Sequence, residues 1–291
     1  MSPATSIQLV ECPRDAMQGW PHPISTAQKV NYLNSLLQVG FHTLDFGSFV
    51  SPKAIPQMAD TAAVLQQLDL RDTHTKLLAI VANTRGAIEA LEHEAIQYLG
   101  FPFSISPTFQ LRNTNSSMEE SFDRVKQIQE LCIAKQRELV IYLSMGFGNP
   151  YGDAYNEDIL LSWADAMVQE GITIISLADT VGLATAAQIR LALETLIPRY
   201  PNHTFGVHLH ATAENWQDKL AAAWTSGCRR FDGALKGIGG CPMAQNELVG
   251  NMDTEQMIAF FRNQSALPAI NPAALEASSR MAATLFQTHS A

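Results

Sequence analysis

The chain has 291 residues, of which 46% are hydrophobic and 16% are charged. This length and composition predict a globular protein of enzyme size with an ample core. The formal net charge of −9 argues against a nucleic-acid partner and against a membrane surface, because phosphate groups would be repelled overall. No apolar run is long enough to span a bilayer, so we also expect no membrane-spanning segment.

The cysteines and the first residues bear on cellular location. Cys12, Cys132, Cys228 and Cys241 are widely separated and show no C-x-x-C spacing. This pattern indicates neither a disulfide framework nor a structural zinc cluster. The start, MSPATSIQLVECPRD, lacks the basic segment followed by an apolar one that marks a secretory signal. We therefore expect a cytoplasmic protein.

Short β-rich runs alternate with helical patterns from end to end. Several runs are almost continuously apolar, as parallel strands covered on both faces are. The strand candidates span residues 6–11, 41–46, 76–82, 98–105, 138–145, 172–179, 204–210 and 229–235. Strands and helices alternating in this way predict an α/β fold, a single (β/α)8 TIM barrel domain over residues 1–291. A doubly wound open sheet is the alternative, but the even spacing of the units favours closure.

The helical segments carry start and stop signals. Ser25 and Thr26 precede a pattern that ends at Gly40, as expected for an N-cap and a C-terminal glycine. Ser117 followed by Met-Glu-Glu is a capping-box arrangement with acidic residues in the first turn. The segment NPAALEASSRMAATLFQTHS, residues 271–290, predicts one extra C-terminal helix after the barrel.

Polar residues gather where the predicted strands end, which is where the active site of such a barrel lies. Taken singly, each has an ordinary structural interpretation, such as a helix cap or a hydrogen-bonding pair. Their convergence on one end of one barrel favours a functional site. They are Glu11, Arg14, Asp15 and Gln18 after the first strand, Asp45 at the second, Asp179 and Thr180 at the sixth, His208 and His210 at the seventh, and Cys241 and Asn251 after the eighth.

His208 and His210 are the most informative pair. Residues two apart on a strand face the same side, so both imidazoles can face the barrel mouth. With the carboxylate of Asp15 and an amide oxygen of Asn251, they would form a mixed nitrogen and oxygen site. Such a set suits a divalent ion acting as a Lewis acid, and magnesium, manganese and zinc are all compatible with it.

Longer motifs extend over most of the chain. They are ECPRDAMQG, SFVSPKAIPQMAD (48–60), SLADTVG (176–182), HLH, and GGCP followed later by Gly250 and Asn251. With these motifs the chain resembles the 3-hydroxy-3-methylglutaryl-CoA (HMG-CoA) lyases, members of a wider superfamily of metal-dependent lyases and Claisen synthases. The first motif is similar to the family's E-x-G-P-R-D-G-x-Q. The resemblance runs from about Ile7 to Glu255.

The resemblance implies a metal site and a catalytic group. The ligands of a divalent metal, Mg²⁺ or Mn²⁺ with Zn²⁺ as a further option, would be Asp15, His208, His210 and Asn251. Arg14 would stabilise negative charge on the enolate and thioester oxygens. Active-site carboxylates would be Glu11 and Asp45. Cys241, on a mobile glycine loop, would assist proton transfer.

An acyl-CoA substrate and a homodimer also follow from the resemblance. We assign substrate contacts to Gln18, Asp179, Thr180 and Arg112. Arg112 lies in FQLRNTN (109–115), where its guanidinium could meet a phosphate of the CoA. A surface loop without function is the alternative interpretation of that segment.

The chain departs from the lyase pattern at several positions. Ala211 replaces the aspartate of H-x-H-D-T, so a carboxylate that would orient the ligands is lost or comes from elsewhere. Asp45 stands where the lyases have a glutamate, and Ala16 replaces the glycine after Arg-Asp. The segment between Cys241 and Asn251 is one residue longer than usual. These changes leave the metal site intact and bear on the choice of substrate.

The implied reaction is a retro-Claisen cleavage of HMG-CoA, or of a close analogue, to acetyl-CoA and acetoacetate. One alternative is a Claisen-type synthase of the isopropylmalate or homocitrate synthase class, which shares the metal site. The GGCP loop and the lack of a further domain after the barrel favour the lyase. The other alternative is a degenerate barrel that binds acyl-CoA or metal without turnover.

Overall fold

The computed structural model describes residues 7–240 and 249–287 of the chain. Within them, parallel strands close into a barrel in the order of the sequence, and β1 pairs with both β2 and β8. The strands are β1 (Gln8–Glu11), β2 (Thr43–Phe49), β3 (Lys76–Val81), β4 (Ile96–Ser104), β5 (Glu138–Ser144), β6 (Ile174–Ala178), β7 (Thr204–His208) and β8 (Arg230–Gly233).

The closed (β/α)8 barrel predicted from the sequence is confirmed. Each strand overlaps its candidate segment, and the largest difference is in β2. That strand continues to Phe49, beyond the predicted end at residue 46, and all of its residues are buried. Its pairing with β3 shifts register between Asp45 and Gly47. Such a bulge bends a strand locally and is common beside active sites.

Helices surround the barrel, and two short 3-10 helices, Pro56–Met58 and Leu235–Gly237, lie in its connections. The helices are α1 (Pro13–Gln18), α2 (Thr26–Leu37), α3 (Thr61–Leu65), α4 (Thr84–Ala90), α5 (Pro107–Thr114), α6 (Met118–Ala134), α7 (Glu157–Gln169), α8 (Ala186–Arg199), α9 (Trp216–Thr225), α10 (Thr254–Asn263) and α11 (Pro272–Leu285). Among the described residues, none of these helices combines the length and the apolar character that crossing a membrane requires.

Local capping chemistry sets where several helices begin. Ser25 and Ser117 each form the reciprocal capping box that their sequences predict. The extra C-terminal helix is confirmed as α11. The loop alternative for residues 109–115 is wrong, because Ser106 caps α5 and Pro107 occupies its first turn.

Successive side chains of each strand point alternately into the barrel and toward the surrounding helices. Inward-facing residues of β3 to β6 form a small apolar cluster inside the barrel, made of Leu78, Ile80, Tyr98, Val140, Tyr142 and Ile174. The intervening residues pack against the helices in the main core. On β8, Phe231 packs on Phe261 of α10, so Arg230 and Asp232 face inward.

Candidate active site

A cavity of about 610 Å³ opens at the carboxyl ends of the strands. Its lining includes Arg14 and Asp15, which follow β1, and His208, which ends β7. Arg112 and Arg124, from α5 and α6, line the same cavity. One pocket therefore holds three of the candidate metal ligands, Asp15, His208 and His210, together with cationic groups suited to phosphate.

Arg14 is held in place by two carboxylates. Its Nε lies 3.0 Å and its Nη2 2.6 Å from Asp45 Oδ2, while Nη1 lies 3.1 Å from Asp15 Oδ1. Burial alone would lower the pKa of Arg14, but the charges of Asp45 and Asp15 outweigh it and raise this pKa. The guanidinium therefore stays charged in a fixed orientation at the base of the cavity.

Asp15, His208 and His210 form a compact donor set, because one ligand atom of each lies within 4.8 Å of the others. Burial raises the pKa of Asp15, but the charges of Arg14, His208 and His210 outweigh it and lower this pKa to about 2. Burial and the neighbouring imidazole lower the pKa of His210. At neutral pH the site thus offers a carboxylate and a neutral imidazole, which are the forms that bind metal.

The second ring nitrogen of each histidine has a partner on the protein. His210 Nδ1 lies 2.8 Å from the carbonyl oxygen of Val249, so it donates and leaves Nε2 unprotonated. His208 Nδ1 lies 3.4 Å from Asp232 Oδ2, and the two residues are opposite each other in the pairing of β7 with β8. Burial lowers the pKa of His208, but the hydrogen bond and charge of Asp232 raise it overall. Partners of this kind orient metal-binding histidines.

Asn251 completes the donor set. Its amide nitrogen donates to Asp15 Oδ2 at 2.8 Å and to the carbonyl oxygen of Ile238 at 2.9 Å. Its amide oxygen is buried and has no hydrogen-bond partner among the described residues. A buried acceptor without a partner is costly, and a bound cation would satisfy it. The residues therefore fit a divalent ion held by two imidazoles, a carboxylate and an amide oxygen.

Lys219, on α9, holds the backbone that follows β7 in place. Its Nζ lies 2.7 Å from Asp179 Oδ2, 2.8 Å from the carbonyl oxygen of His210 and 3.0 Å from that of Gly182. Its side chain is only 3% exposed. Ala211 offers no carboxylate at this point, and Lys219 instead fixes the backbone that carries His210.

The other residues singled out in the sequence are divided between the cavity and its supports. Gln18 and Thr180 line the cavity, and Gln18 Nε2 donates to Asp15 Oδ1 at 2.9 Å. Arg112 lines it too, with its guanidinium 4.6 Å from the ring centre of Tyr151. Cys241 lies outside the described residues.

Glu11, Asp45 and Asp179 are not among the described residues that line the cavity, and Asp45 acts on it only through its contact with Arg14. Glu11, which the resemblance places among the active-site carboxylates, instead accepts hydrogen bonds from Leu235 N at 2.8 Å and Thr254 Oγ1 at 2.6 Å. Asp179, assigned to substrate, pairs with Lys219 and accepts from Ala184 N. Both carboxyl groups hold loops of the barrel mouth in place.

Sequence reasoning missed Asp232 and Lys219. The sequence did contain a signal for Asp232, because it is an inward-facing residue near the end of the strand that neighbours the one carrying His208. Lys219 had none, since a lysine in an amphipathic helix is normally solvated. Arg230 was also missed: its side chain is fully buried, and the charge of Asp232 raises its pKa against the opposing effect of burial.

Comparisons with known proteins agree with this geometry. The chain is 33% identical over 249 residues to hydroxymethylglutaryl-CoA lyase YngG of Bacillus subtilis, covering 84% of this chain and 81% of that relative. It is 31% identical to the 3-hydroxy-3-isohexenylglutaryl-CoA/hydroxymethylglutaryl-CoA lyase of Pseudomonas aeruginosa, covering 96% of this chain and 93% of the relative.

A solved structure shows the same fold. The HMG-CoA lyase from Acenitobacter baumannii, in complex with coenzyme A and 3-methylmalate, superposes with a TM-score of 0.90 at 29% identity. The match covers 98% of this chain and 93% of that one. The HMGL-like family model matches residues 7–281, which is nearly the whole barrel. With side chains that could hold a metal and a buried arginine at the mouth of that barrel, this chain belongs to the HMGL-like family and is an enzyme of the HMG-CoA lyase type.

Proposed function

We propose that the protein cleaves HMG-CoA, or a close analogue, to acetyl-CoA and acetoacetate. The observation that carries the proposal is the placement of Arg14 beside Asp15, His208 and His210 in one cavity of the barrel mouth. Lyases of this substrate class are the relatives that the chain matches over most of its length. The reaction breaks the C2–C3 bond of the acyl chain while the tertiary hydroxyl gives its proton to water and becomes the ketone of acetoacetate.

A divalent ion, when bound by Asp15, His208, His210 and Asn251, would supply the Lewis acidity that lowers the pKa of the substrate hydroxyl. The donor set is compatible with Mg²⁺, Mn²⁺ and Zn²⁺, and we favour the first two. The hydrogen bonds of His208 to Asp232 and of His210 to Val249 keep both rings in the ligating orientation.

Arg14 stabilises the charge that develops as the carbon–carbon bond breaks. The electron pair of that bond passes to the thioester and forms an enolate of acetyl-CoA. A guanidinium already oriented by Asp45 and Asp15 needs no reorganisation to meet the enolate oxygen. Such preorganised charge is generally the largest contribution to rate.

Cys241 is our proposed donor of the proton that converts the enolate carbon to the methyl group of acetyl-CoA. It lies outside the described residues and directly follows Gly239 and Gly240, whose φ angles are 120° and 131°. Gly239 packs on the metal ligands, since a Cβ there would lie 3.0 Å from Asp15 Oδ2. The described residues therefore come close to the ligands just before Cys241 in the sequence, which supports this role for the thiol.

The CoA part of the substrate would contact Arg112 and Arg124. Both line the cavity, and α5 is anchored there by Asp153, which accepts hydrogen bonds from Ser106 and Thr108. Arginine binds phosphate oxygens through paired N–H groups. The apolar part of the lining, which includes Ile80, Tyr142 and Pro102, would face the acyl substituent. The homodimer and the cytoplasmic location expected from the sequence stay proposals.

The test is cleavage by the purified protein with Mg²⁺ or Mn²⁺ and a panel of 3-hydroxyacyl-CoA thioesters, followed by release of acetyl-CoA. We expect turnover of HMG-CoA or of an analogue with a larger 3-substituent. His208→Ala should abolish turnover, and the matched variant His74→Ala, at an exposed histidine, should keep it. Absence of cleavage across the panel with either metal would refute the lyase proposal.

A further inference from the structure

A second cluster of metal-binding side chains lies next to the candidate metal site. Cys12 directly follows β1, Asp232 belongs to β8, and His208 ends β7, so the cluster spans three adjacent strands. One ligand atom from each of these residues lies within 4.8 Å of the others. Cys12 and Asp232 are buried, and the His208 side chain is 12% exposed. The hydrogen bond from Cys12 N to the carbonyl oxygen of Gly233, at 2.8 Å, fixes the thiol against β8.

The protein contacts of this cluster leave donor atoms unused. Asp232 is 2% exposed, and its Oδ1 has no hydrogen-bond partner among the described residues. Among the described residues, the thiol of Cys12 forms one long hydrogen bond, of 3.9 Å, to the carbonyl oxygen of Val10. A buried carboxylate oxygen without a donor is destabilising unless a cation or an ordered water satisfies it.

The local charge favours a cation over a neutral partner. Burial raises the pKa of the Cys12 thiol, the negative charges of Asp232, Asp45 and Asp15 raise it further, and Arg14 opposes them, so a bound cation is needed to stabilise the thiolate. Arg230, close to Asp232, offsets part of that carboxylate. The balance around the thiol is therefore negative, although the residues are buried.

We propose that Cys12, His208 and Asp232 form a second site, which binds a soft divalent ion such as Zn²⁺ and shares His208 with the catalytic metal site. A set of sulfur, nitrogen and oxygen donors selects zinc or cadmium, whereas magnesium and manganese prefer oxygen-rich sites. The catalytic set of Asp15, His208, His210 and Asn251 contains no sulfur. On binding, the thiol gives its proton to the buffer and ligates as thiolate.

Sharing His208 makes the second site inhibitory. An ion held by Cys12 and Asp232 would take His208 through Nδ1, the nitrogen that faces Asp232. The ring proton then moves from Nδ1 to Nε2, and a protonated Nε2 cannot ligate the catalytic ion. Zinc at this site therefore lowers turnover supported by magnesium, and Cys12 is the residue on which this inhibition depends.

The test is a titration of Mg²⁺-loaded protein with Cd²⁺, followed by the ultraviolet charge-transfer band of cadmium thiolate. We expect the band to appear with one equivalent of Cd²⁺ and to be lost in Cys12→Ser. It should persist in the matched variants Cys132→Ser and Cys228→Ser, whose thiols are also buried, and in Cys241→Ser. In parallel, Cys12→Ser should raise the Zn²⁺ concentration for half-inhibition about tenfold or more, as loss of a metal contact does.

A band that persists in Cys12→Ser, or that disappears in Cys241→Ser instead, would overturn the proposal. So would zinc inhibition equal in the wild type and in Cys12→Ser. Should the serine variant fail to fold, Cys12→Ala gives the same comparison without a polar atom at that position. Because the cadmium band is read without any substrate, its outcome is independent of whether HMG-CoA is the substrate.

Discussion

Glu11→Gln should remove a pH dependence of folding stability that the wild-type protein shows. Glu11 is completely buried, and burial raises the pKa of its carboxyl to about 8, although hydrogen bonds from Thr254 and Leu235 act in the opposite direction. A glutamine can keep both contacts, because its carbonyl accepts from Leu235 N and its amide donates to Thr254 Oγ1. The variant therefore isolates the charge of one side chain.

The sign of the effect follows from the folded pKa being above the unfolded one. Between pH 4.5 and about 8 the folded protein keeps the Glu11 proton and the unfolded chain releases it, so stability falls as pH rises. Each pKa unit corresponds to about 1.4 kcal/mol, so the loss between about pH 5 and about pH 8 is about 4 kcal/mol. Above about pH 8 the loss is complete.

The assay is urea unfolding of metal-free wild type and variant at both pH values. The free energies of unfolding should be similar at the lower pH, and the variant should be the more stable at the higher pH. Comparing the two proteins cancels the titration of every other group. Parallel dependence on pH in the two proteins would show that Glu11 is ionised in the folded state, and would refute the protonated state that burial implies.

Three further variants test the barrel mouth. Arg14→Lys should raise the activation free energy by about 2–4 kcal/mol, because an ammonium group cannot replace the two-pronged guanidinium. The loss is measured as kcat, and the metal content should stay nearly unchanged. Gly239→Ala should weaken Mn²⁺ binding in calorimetry, because its φ is 120° and the new methyl group would overlap the Asn251 amide. Cys241→Ala should lower kcat by roughly 10²–10⁴ with little change in substrate binding, as expected for a lost proton donor.

Each of these variants has an outcome that contradicts its reasoning. Near-normal turnover of Arg14→Lys would leave Arg14 a structural role only. Unchanged Mn²⁺ affinity of Gly239→Ala would mean that the glycine backbone does not constrain the ligands. If Cys241→Ala lost its metal or failed to fold, or if it kept wild-type turnover, the catalytic role of the thiol would be refuted.

The fold could be predicted because its signals are local. Apolar runs mark the strands, and Ser25 and Ser117 mark helix starts through contacts within one helical turn. The closed barrel followed from the number and spacing of these units. The end of β2 was missed because Gly47 has weak strand propensity. A Cβ at this position would lie 2.6 Å from the Thr61 side chain, and that tertiary contact is not visible in the sequence.

The site could be predicted only as far as strand ends determine it. The rule that barrel active sites lie at those ends brought Asp15 and His208 together correctly in space. It did not predict that the Glu11 side chain points away from the cavity. The lyase motif has two residues between its glutamate and proline, and this chain has only Cys12 between Glu11 and Pro13. Successive strand residues face opposite sides, so that difference of one residue turns Glu11 away from the cavity.

Lys219 shows what the sequence could not supply, because its acceptors come from three separate segments. Lys219→Met should weaken Mn²⁺ binding about 10–100-fold, since the His210 backbone loses its donor. It should also cost about 3–5 kcal/mol of stability by leaving the Asp179 carboxylate buried and unpaired. The double variant with Asp179→Asn should regain much of the stability without regaining the affinity.

The matched control for this prediction is Lys29→Met. Lys29 is also a buried lysine, 2.5 Å from Asp60, but it does not line the cavity. Its loss should lower the urea midpoint and leave calorimetric Mn²⁺ affinity unchanged. If Lys219→Met bound Mn²⁺ like the wild type, Lys219 would stabilise the barrel without positioning His210, and the missing carboxylate at Ala211 would have no substitute in Lys219. Loss of Mn²⁺ affinity in Lys219→Met but not in Lys29→Met would instead show that the ammonium group orients His210 through its backbone. The spacing of residues in the sequence does not reveal such a role.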